Sequence, residues 1–111
     1  MPELPEVETT RRAIKPLLEH SIVQAVKVRQ RKLRWPVSQG LAREIRGEEI
    51  LKVERRAKYL LLIFRHGTLM IHLGMSGRLR VLPVSGPPEK HDHVDLIFTN
   101  RRVLRLSLIH I

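Results

Sequence analysis

The chain has 111 residues, which is the size of one domain and too short for two ordinary ones. It carries 21 Lys and Arg against 11 Asp and Glu, and this formal net charge of +10 favours an anionic partner, either nucleic acid or a membrane surface. The absence of cysteine excludes a disulfide scaffold, a thiolate zinc site and a cysteine nucleophile within these residues.

Hydrophobic residues make up 42% of the chain and charged residues 29%, a balance typical of a globular rather than a disordered protein. No apolar run approaches the roughly 20 residues that a membrane span needs. The longest such run, Tyr59–Phe64, has the length of a strand. The N-terminus is acidic and proline-rich, unlike a signal peptide. We therefore expect a soluble, intracellular protein with no membrane partner.

The first 20 residues predict an amphipathic helix over residues 3–20. Val7, Ile14 and Leu18 recur at roughly helical spacing, and three glutamates precede them or lie between them in the first turns, at the positive end of the helix dipole. Pro16 lacks an N–H and is expected to kink or end this helix.

A strand and a second short helix are predicted next. Residues 21–29 alternate between apolar and polar side chains, which is typical of a strand. A basic stretch at 29–34 follows, and it leads to Trp35-Pro36. Ser38 is a candidate N-cap for a short helix that reaches about Arg46, with Gly47 as its stop.

From Glu49 onward the sequence predicts six strands, rich in Val, Ile and Leu and separated by turn signals. One helix followed by many short strands favours an antiparallel sandwich or barrel with helices at its edge. We predict an α+β, mostly β fold: an antiparallel two-sheet sandwich flanked by the N-terminal helix and the second short helix. The six predicted strands are 50–56, 59–65, 68–73, 78–82, 94–99 and 103–108, and residues 83–92 form the one long loop.

Pro2 is the first residue with chemistry of its own. A proline after the initiator Met usually becomes the N-terminus, and its nitrogen is then a secondary amine that can attack an aldehyde carbon to form an iminium. An α-amino pKa of about 7.7–8.0 leaves a neutral fraction at pH 7. The alternative is that Pro2 only opens the helix.

Three further side chains stand beside this amine or in a basic run. Glu3 and Glu6, three residues apart, are able to share a helix face, one as proton donor and one as substrate holder, or else they only balance the helix dipole. Lys58 follows Arg55-Arg56-Ala57. It is a candidate for phosphate binding or acid–base work, and the alternative is an ordinary solvated strand end.

Two loops carry further candidates. Residues 72–77 contain two glycines that place Met75 at a turn tip, where an apolar side chain is able to wedge between bases; the alternative is a core methionine. Residues 90–93 and the nearby Asp95 have some metal-ligand chemistry. No third cluster supports a metal site there, so we expect no metal and favour phosphate or base contact from this loop.

Five blocks of sequence occur in the order typical of one protein family: Met1–Thr9, Leu33–Pro36, Arg55–Leu60, His72–Gly77 and Pro88–Asp95. With these blocks, the chain resembles the N-terminal domain of bacterial formamidopyrimidine-DNA glycosylase over residues 1–105. The neighbouring endonuclease-eight branch typically begins Pro-Glu-Gly-Pro-Glu, so Leu4 and the Lys-His-Asp-His segment favour the formamidopyrimidine branch.

The resemblance implies roles for the catalytic residues. Pro2, freed of Met1, would attack C1′ of a damaged nucleotide, typically 8-oxoguanine or a formamidopyrimidine, and the iminium would drive β- and δ-elimination. Glu3 would be the general acid/base at the sugar, Glu6 would support the helix terminus near the site, and Lys58 would contact phosphate and assist elimination.

The resemblance also implies a partner, damaged double-stranded DNA, bound by a monomer in the bacterial cytoplasm at the nucleoid. Met75 would fill the gap left by the flipped base. His91 would bind DNA from its loop, and Lys90 and Arg34 belong to matching blocks that would contact DNA.

The resemblance stops after Arg105. The family continues there with an Asp-x-Arg-Arg-Phe-Gly segment and a helical C-terminal domain whose zinc finger holds one zinc ion with four cysteines. We therefore assign residues 1–105 to the catalytic domain, expect no cofactor in this chain, and expect weak or no activity from it alone. We interpret residues 106–111, Leu-Ser-Leu-Ile-His-Ile, as adapter-derived, because a common transposon-type sequencing adapter encodes this string in one frame.

Two other functions stay open from the sequence. One is an endonuclease-eight-type glycosylase that acts on oxidised pyrimidines. The other is a basic β-domain that binds DNA without catalysis. Such a binder would not depend on removal of Met1, whereas the glycosylase would.

Overall fold

The computed structural model describes residues 4–28, 40–72, 77–83 and 92–108. Seven strands form two antiparallel sheets, one in the order β1-β6-β7-β5 and the other in the order β2-β3-β4. The mostly β, two-sheet prediction with two helices is confirmed. The elements are α1 (Leu4–Leu18), β1 (Val23–Val28), α2 (Leu41–Ile45), β2 (Lys52–Arg56), β3 (Tyr59–Phe64), β4 (Gly67–His72), β5 (Gly77–Pro83), β6 (Asp92–Phe98) and β7 (Arg102–Leu108).

Helix α1 forms where the apolar periodicity predicts it, and its apolar stripe of Val7, Ile14 and Leu18 is buried. The prediction for Pro16 is wrong in part, because the helix continues through this residue to Leu18. Pro16 lies exposed in the last turn, so its ring removes only one donor close to the point where the helix ends. His20, with a φ of 72°, then turns the chain towards β1.

Helix α2 is shorter than expected. It spans five residues, and its N-cap is Gly40, with no side-chain cap hydrogen bond, so the prediction of Ser38 as cap is wrong. Ser38 itself lies outside the described residues. Gly47 does adopt the left-handed conformation expected of a helix stop, with a φ of 82°, and its N–H donates to the carbonyl of Val23.

Each of the six predicted strands of the second half is present. Strand β3 shows why the pattern worked: Leu60, Leu62 and Phe64 are buried, whereas the residues between them are half-buried on the outer face. The four-stranded sheet contributes Val94, Leu96, Phe98 and Leu104 to the same apolar core from the opposite side.

The two ends of the sandwich differ in what they bring together. Helix α1 runs antiparallel to β2, because Glu19 near its end contacts Val53 and Glu8 near its start contacts Arg55. We call the end where α1 begins the proximal end and the other the distal end. The distal end holds the β6–β7 turn, whose Arg102 donates to the carbonyl of Leu17.

The strand registers show which of the remaining strand ends lie at the proximal end. Val28 pairs with Val94, Asp92 with Ser107 and Gly77 with Leu108, so β1 ends where β6 and β5 begin, opposite the distal β6–β7 turn. In the other sheet Tyr59 pairs with His72, so β4 ends beside the start of β3. These strand ends and the start of α1 therefore share the proximal end.

Candidate functional site

Two of the predicted site residues, Glu6 and Lys58, belong to the described part of the chain. Both lie at the proximal end, Glu6 in the first turn of α1 and Lys58 between β2 and β3. The structure therefore places at the same end of the sandwich two candidates that the sequence separates by about 50 residues. The other predicted site residues lie outside the described residues: Pro2, Glu3, Arg34, Met75, Lys90 and His91.

Several of those residues are chain neighbours of described proximal elements. Pro2 and Glu3 directly precede Leu4, the first residue of α1, and an extended chain of two residues reaches at most about 7 Å. His91 precedes Asp92, the first residue of β6, and Met75 belongs to the segment that joins β4 to β5. The described residues that flank Pro2, Glu3, Met75 and His91 in the chain therefore lie at the proximal end.

Lys58 is presented on a tight turn. Ala57 and Lys58 connect the paired residues Arg56 and Tyr59, and Ala57 has a φ of 51°. A left-handed conformation costs a non-glycine residue about 1–2 kcal/mol. The guanidinium of Arg55 offsets part of this strain, because its Nη1 donates to the carbonyl of Ala57 at 3.0 Å. The half-buried Lys58 is therefore held by a hydrogen-bonded turn.

Glu8, one turn into α1, is the centre of an arginine cluster. Its carboxylate accepts hydrogen bonds from Arg11 at 2.8 and 2.6 Å, from Arg12 at 2.9 Å and from Arg55 at 3.0 Å. The hydrogen bonds from Arg11 and then Arg55 hold the pKa of Glu8 far below its usual range. Glu8 is therefore ionised at any physiological pH and joins α1 to β2.

The sequence reasoning missed this cluster. The spacing of Glu8 to Arg11 and Arg12, three and four residues, is a legible signal of helical ion pairing. The contact with Arg55 spans 47 residues of sequence and carries no local signal.

Glu19 fixes the distal half of α1 to the same strand. Its carboxylate accepts the backbone N–H of Val53 at 3.0 Å and lies 3.5 Å from the ammonium of Lys15. The Val53 hydrogen bond, more than the Lys15 charge, lowers the pKa of Glu19. Helix α1 thus covers the outer edge of β2 and is held by a carboxylate near each end.

His72 connects the end of β4 to the strand that follows Lys58. Its ring lies 5.1 Å from the ring of Tyr59, centroid to centroid, at an interplanar angle of 54°. Because Tyr59 directly follows Lys58 and His72 is the last residue of β4, this contact links the Lys58 turn to the base of the segment that contains Met75.

Asp95, which lies near the His-Asp-His segment, is paired with an arginine. It is buried on β6 and forms a bidentate ion pair with Arg105 of β7, with distances of 2.9 and 3.0 Å. The sequence contains no cysteine, and no three His, Asp or Glu side chains of the described residues group together as a metal site. The residues present therefore do not fit the four-cysteine zinc site of the family's finger.

Within the described ranges, neither helix is long and apolar enough to cross a lipid bilayer.

Comparison with known proteins agrees with this geometry. A protein-family model described as the formamidopyrimidine-DNA glycosylase N-terminal domain matches residues 1–107. The formamidopyrimidine-DNA glycosylase of Shewanella amazonensis is 59% identical over 107 residues, and an Escherichia coli relative of the same name is 56% identical. Each alignment covers 96% of this chain and 39% of the relative, so the chain spans about two-fifths of their length.

Solved structures match as well. The Lactococcus lactis formamidopyrimidine-DNA glycosylase, non-covalently bound to DNA with an abasic site, superposes with a TM-score of 0.87 at 30% identity and covers 96% of this chain and 41% of that one. A MutM complex with DNA containing carbocyclic 8-oxo-G gives 0.88 at 30% identity, covering 97% of this chain and 41% of that one. With the sequence blocks, the two-sheet fold and these matches in agreement, the chain belongs to the family of the formamidopyrimidine-DNA glycosylase N-terminal domain.

Proposed function

We propose that residues 1–105 form the catalytic domain of a base-excision DNA glycosylase and lyase that removes oxidised purines, such as 8-oxoguanine and formamidopyrimidines. The observation that carries this proposal is the meeting of the start of α1 and the Lys58 turn at the proximal end, in a chain whose family membership is established. Relatives solved with abasic-site DNA and 8-oxo-G DNA support the choice of substrate.

The proposed chemistry starts at the N-terminal amine. After Met1 is removed, the nitrogen of Pro2 attacks C1′, the bond to the damaged base breaks, and an iminium joins the protein to the opened sugar. Glu3 moves the proton at the sugar as general acid/base. Elimination then breaks the 3′ and 5′ carbon–oxygen bonds to phosphate, with Lys58 at the phosphate and Glu6 supporting the helix start. The amine, carboxylates and lysine are all this chain's own groups, so the proposed steps require no cofactor.

DNA binding in this proposal rests on charge and on the proximal loops. A net charge of +10 attracts the phosphate backbone. We assign Arg34, Lys90 and His91 to DNA contacts and Met75 to the space left by the flipped base. We expect the protein to act as a monomer at the nucleoid of the bacterial cytoplasm, where such DNA is found.

Residues 106–111 are proposed to lie outside the evolved domain. Resequencing the source DNA through codon 111 tests this assignment. Adapter sequence at these codons is the expected result, and genomic sequence there would contradict it.

The deciding experiment is borohydride trapping on single-stranded abasic DNA, with removal of Met1 verified by intact mass. Borohydride reduces an iminium to a stable amine, so peptide mapping should place the crosslink at Pro2, formed slowly. A matched preparation that retains Met1 has an amide nitrogen at Pro2 and should give no crosslink. DNA binding without any crosslink would contradict catalysis by this chain alone and would favour a non-catalytic basic DNA-binding domain.

A further inference from the structure

The guanidinium of Arg55 contacts two different parts of the proximal end. Arg55 lies on β2 opposite the buried Leu60, and its side chain is 28% exposed. Its Nε donates to the carboxylate of Glu8 at 3.0 Å, and its Nη1 donates to the carbonyl of Ala57 at 3.0 Å. A single side chain therefore connects α1 to the turn that carries Lys58.

Neutralising Glu8 does not require Arg55. Arg11 and Arg12 lie on the same helix as Glu8 and together supply three of its hydrogen bonds. Without Arg55 the carboxylate keeps both of these cations, whereas among the described residues no other hydrogen bond of the Glu8 side chain reaches a strand. The distinct contribution of Arg55 is thus geometric: it links two elements that are far apart in sequence.

We propose that Arg55 is a positioning residue that fixes the start of α1, and with it the N-terminal amine, relative to Lys58. This inference rests on the proposed function, since it assigns the amine and Lys58 to one reaction. In the chain, Pro2 precedes the first residue of α1 by two positions, which span at most about 7 Å, so we infer that a displacement of the helix start also displaces the amine. A misplacement of about 1 Å at reacting atoms can cost a rate on the order of 10²-fold.

The first test measures position without any reaction. Because the chain has no cysteine, Arg56→Cys gives a single site for a nitroxide label at the exposed end of β2. Paramagnetic broadening of the amide protons of residues 6–10 then reports the distance of the α1 start from this strand. Adding Arg55→Gln should change this broadening at least twofold, and Arg12→Gln should leave it unchanged, because Arg12 contacts Glu8 within the helix. Equal broadening in the parent and Arg55→Gln proteins would overturn the inference.

The second test measures the consequence for the amine. Arg55→Lys keeps the charge but lacks the planar fork that reaches two acceptors. At saturating abasic DNA we expect the rate of borohydride trapping to fall about 10- to 100-fold in Arg55→Lys and Arg55→Gln, and to stay within about twofold in Arg12→Gln. Far-UV circular dichroism checks that each variant is folded.

The two readouts separate the possible failures. If the parent chain gives no crosslink, the proposed function fails for this chain, and the broadening still decides whether Arg55 sets the helix position. If the parent reacts and Arg55→Lys reacts at the same rate, Arg55 is not a positioning residue, whatever its effect on broadening.

Discussion

The ion pair between Asp95 and Arg105 is the most buried charged contact among the described residues. The two side chains are 3% and 6% exposed, and they lie directly opposite each other on β6 and β7. Two parallel N–H···O bonds satisfy both carboxylate oxygens, which is the geometry that makes an arginine–carboxylate pair tolerable away from water. Each partner therefore depends on the other for its burial.

Asp95→Asn should lower the free energy of unfolding by about 3–5 kcal/mol, because it removes the negative charge of a buried bidentate ion pair with Arg105. Urea denaturation followed by circular dichroism measures this change. Arg12→Gln is the control, since Arg12 is 75% exposed and its loss should hardly move the urea midpoint. An Asp95→Asn midpoint as close to the parent's as that of the control would contradict the prediction.

Two apolar side chains on neighbouring strands differ in burial, and they should therefore differ in their contribution to stability. Leu60 is fully buried, whereas Met70 on the adjacent strand is 55% exposed. Leu60→Ala should therefore cost about 2–5 kcal/mol of stability, and Met70→Ala less than about 0.5 kcal/mol. Equal effects in the same denaturation assay would show that the outer face of β3 and β4 is covered in solution.

Among the elements, α1 carries a local conflict between its sequence and its structure. Pro16 lies inside the helix, where it cannot donate a backbone hydrogen bond. Pro16→Ala restores that donor, and the gain exceeds the added entropy of the unfolded chain, so stability should rise by about 1–2 kcal/mol. A thermal melt that shows no increase in Tm would mean that the backbone carbonyl groups near Pro16 already have hydrogen-bond donors.

Acid should weaken the attachment of α1 to β2. The folded-state pKa values of Glu8 and Glu19 lie below the ordinary value of 4.5, so the folded protein binds fewer protons than the unfolded chain. The resulting stabilisation is fully present above about pH 5 and is lost as the pH falls through 4.5 towards the folded pKa values. Urea midpoints at pH 7, 5 and 3.5 measure this loss.

The variant Glu19→Gln tests whether the loss of stability in acid comes from the attachment of α1 to β2. Glu19→Gln removes one of the two carboxylates, so its midpoint should depend less steeply on pH below 5 than that of the parent. An unchanged steepness would place the acid-sensitive groups elsewhere in the chain.

The elements themselves could be predicted from the sequence because their signals are local. Alternation at a period of two marks each strand, as with Leu60 and Leu62, and the spacing of Val7, Ile14 and Leu18 marks α1. Two sheets were expected, but which strands pair in each sheet could not be predicted, because pairs such as Val26 and Leu96 are 70 residues apart and similar apolar strands offer many partners.

The candidate site was predictable to a smaller degree. Lys58 was found because it follows a basic run before an apolar strand, and the structure brings it to the end where Glu6 lies. The sequence did not distinguish Arg55 from the other basic residues of the same run, because its role depends on a contact with Glu8, 47 residues away. Asp95 was considered only for its metal-ligand chemistry, and its buried ion pair depends on a partner from the next strand.

At the scale of the whole molecule, we expect the +10 charge to make the proposed DNA binding strongly dependent on salt. For about four phosphate contacts, duplex binding should weaken about 10²-fold between 50 and 200 mM salt. Arg56, exposed beside the Lys58 turn, supplies a matched variant. Arg56→Gln should reduce the slope of log affinity against log salt by about 0.9 if it contacts phosphate. A fluorescence-anisotropy titration in which affinity ignores salt would contradict electrostatic binding.

The separation of the proximal and distal ends of the sandwich also determines where a label or tag can be attached without covering the candidate site. An affinity tag fused before Met1 would prevent removal of Met1 and so keep the Pro2 nitrogen an amide. The β3–β4 turn at Arg65 and His66 is exposed and lies at the distal end, where Glu48 contacts His66. Because the chain has no cysteine, His66→Cys provides a single attachment site for a fluorophore or for surface immobilisation. Attachment there leaves the proximal end facing solution.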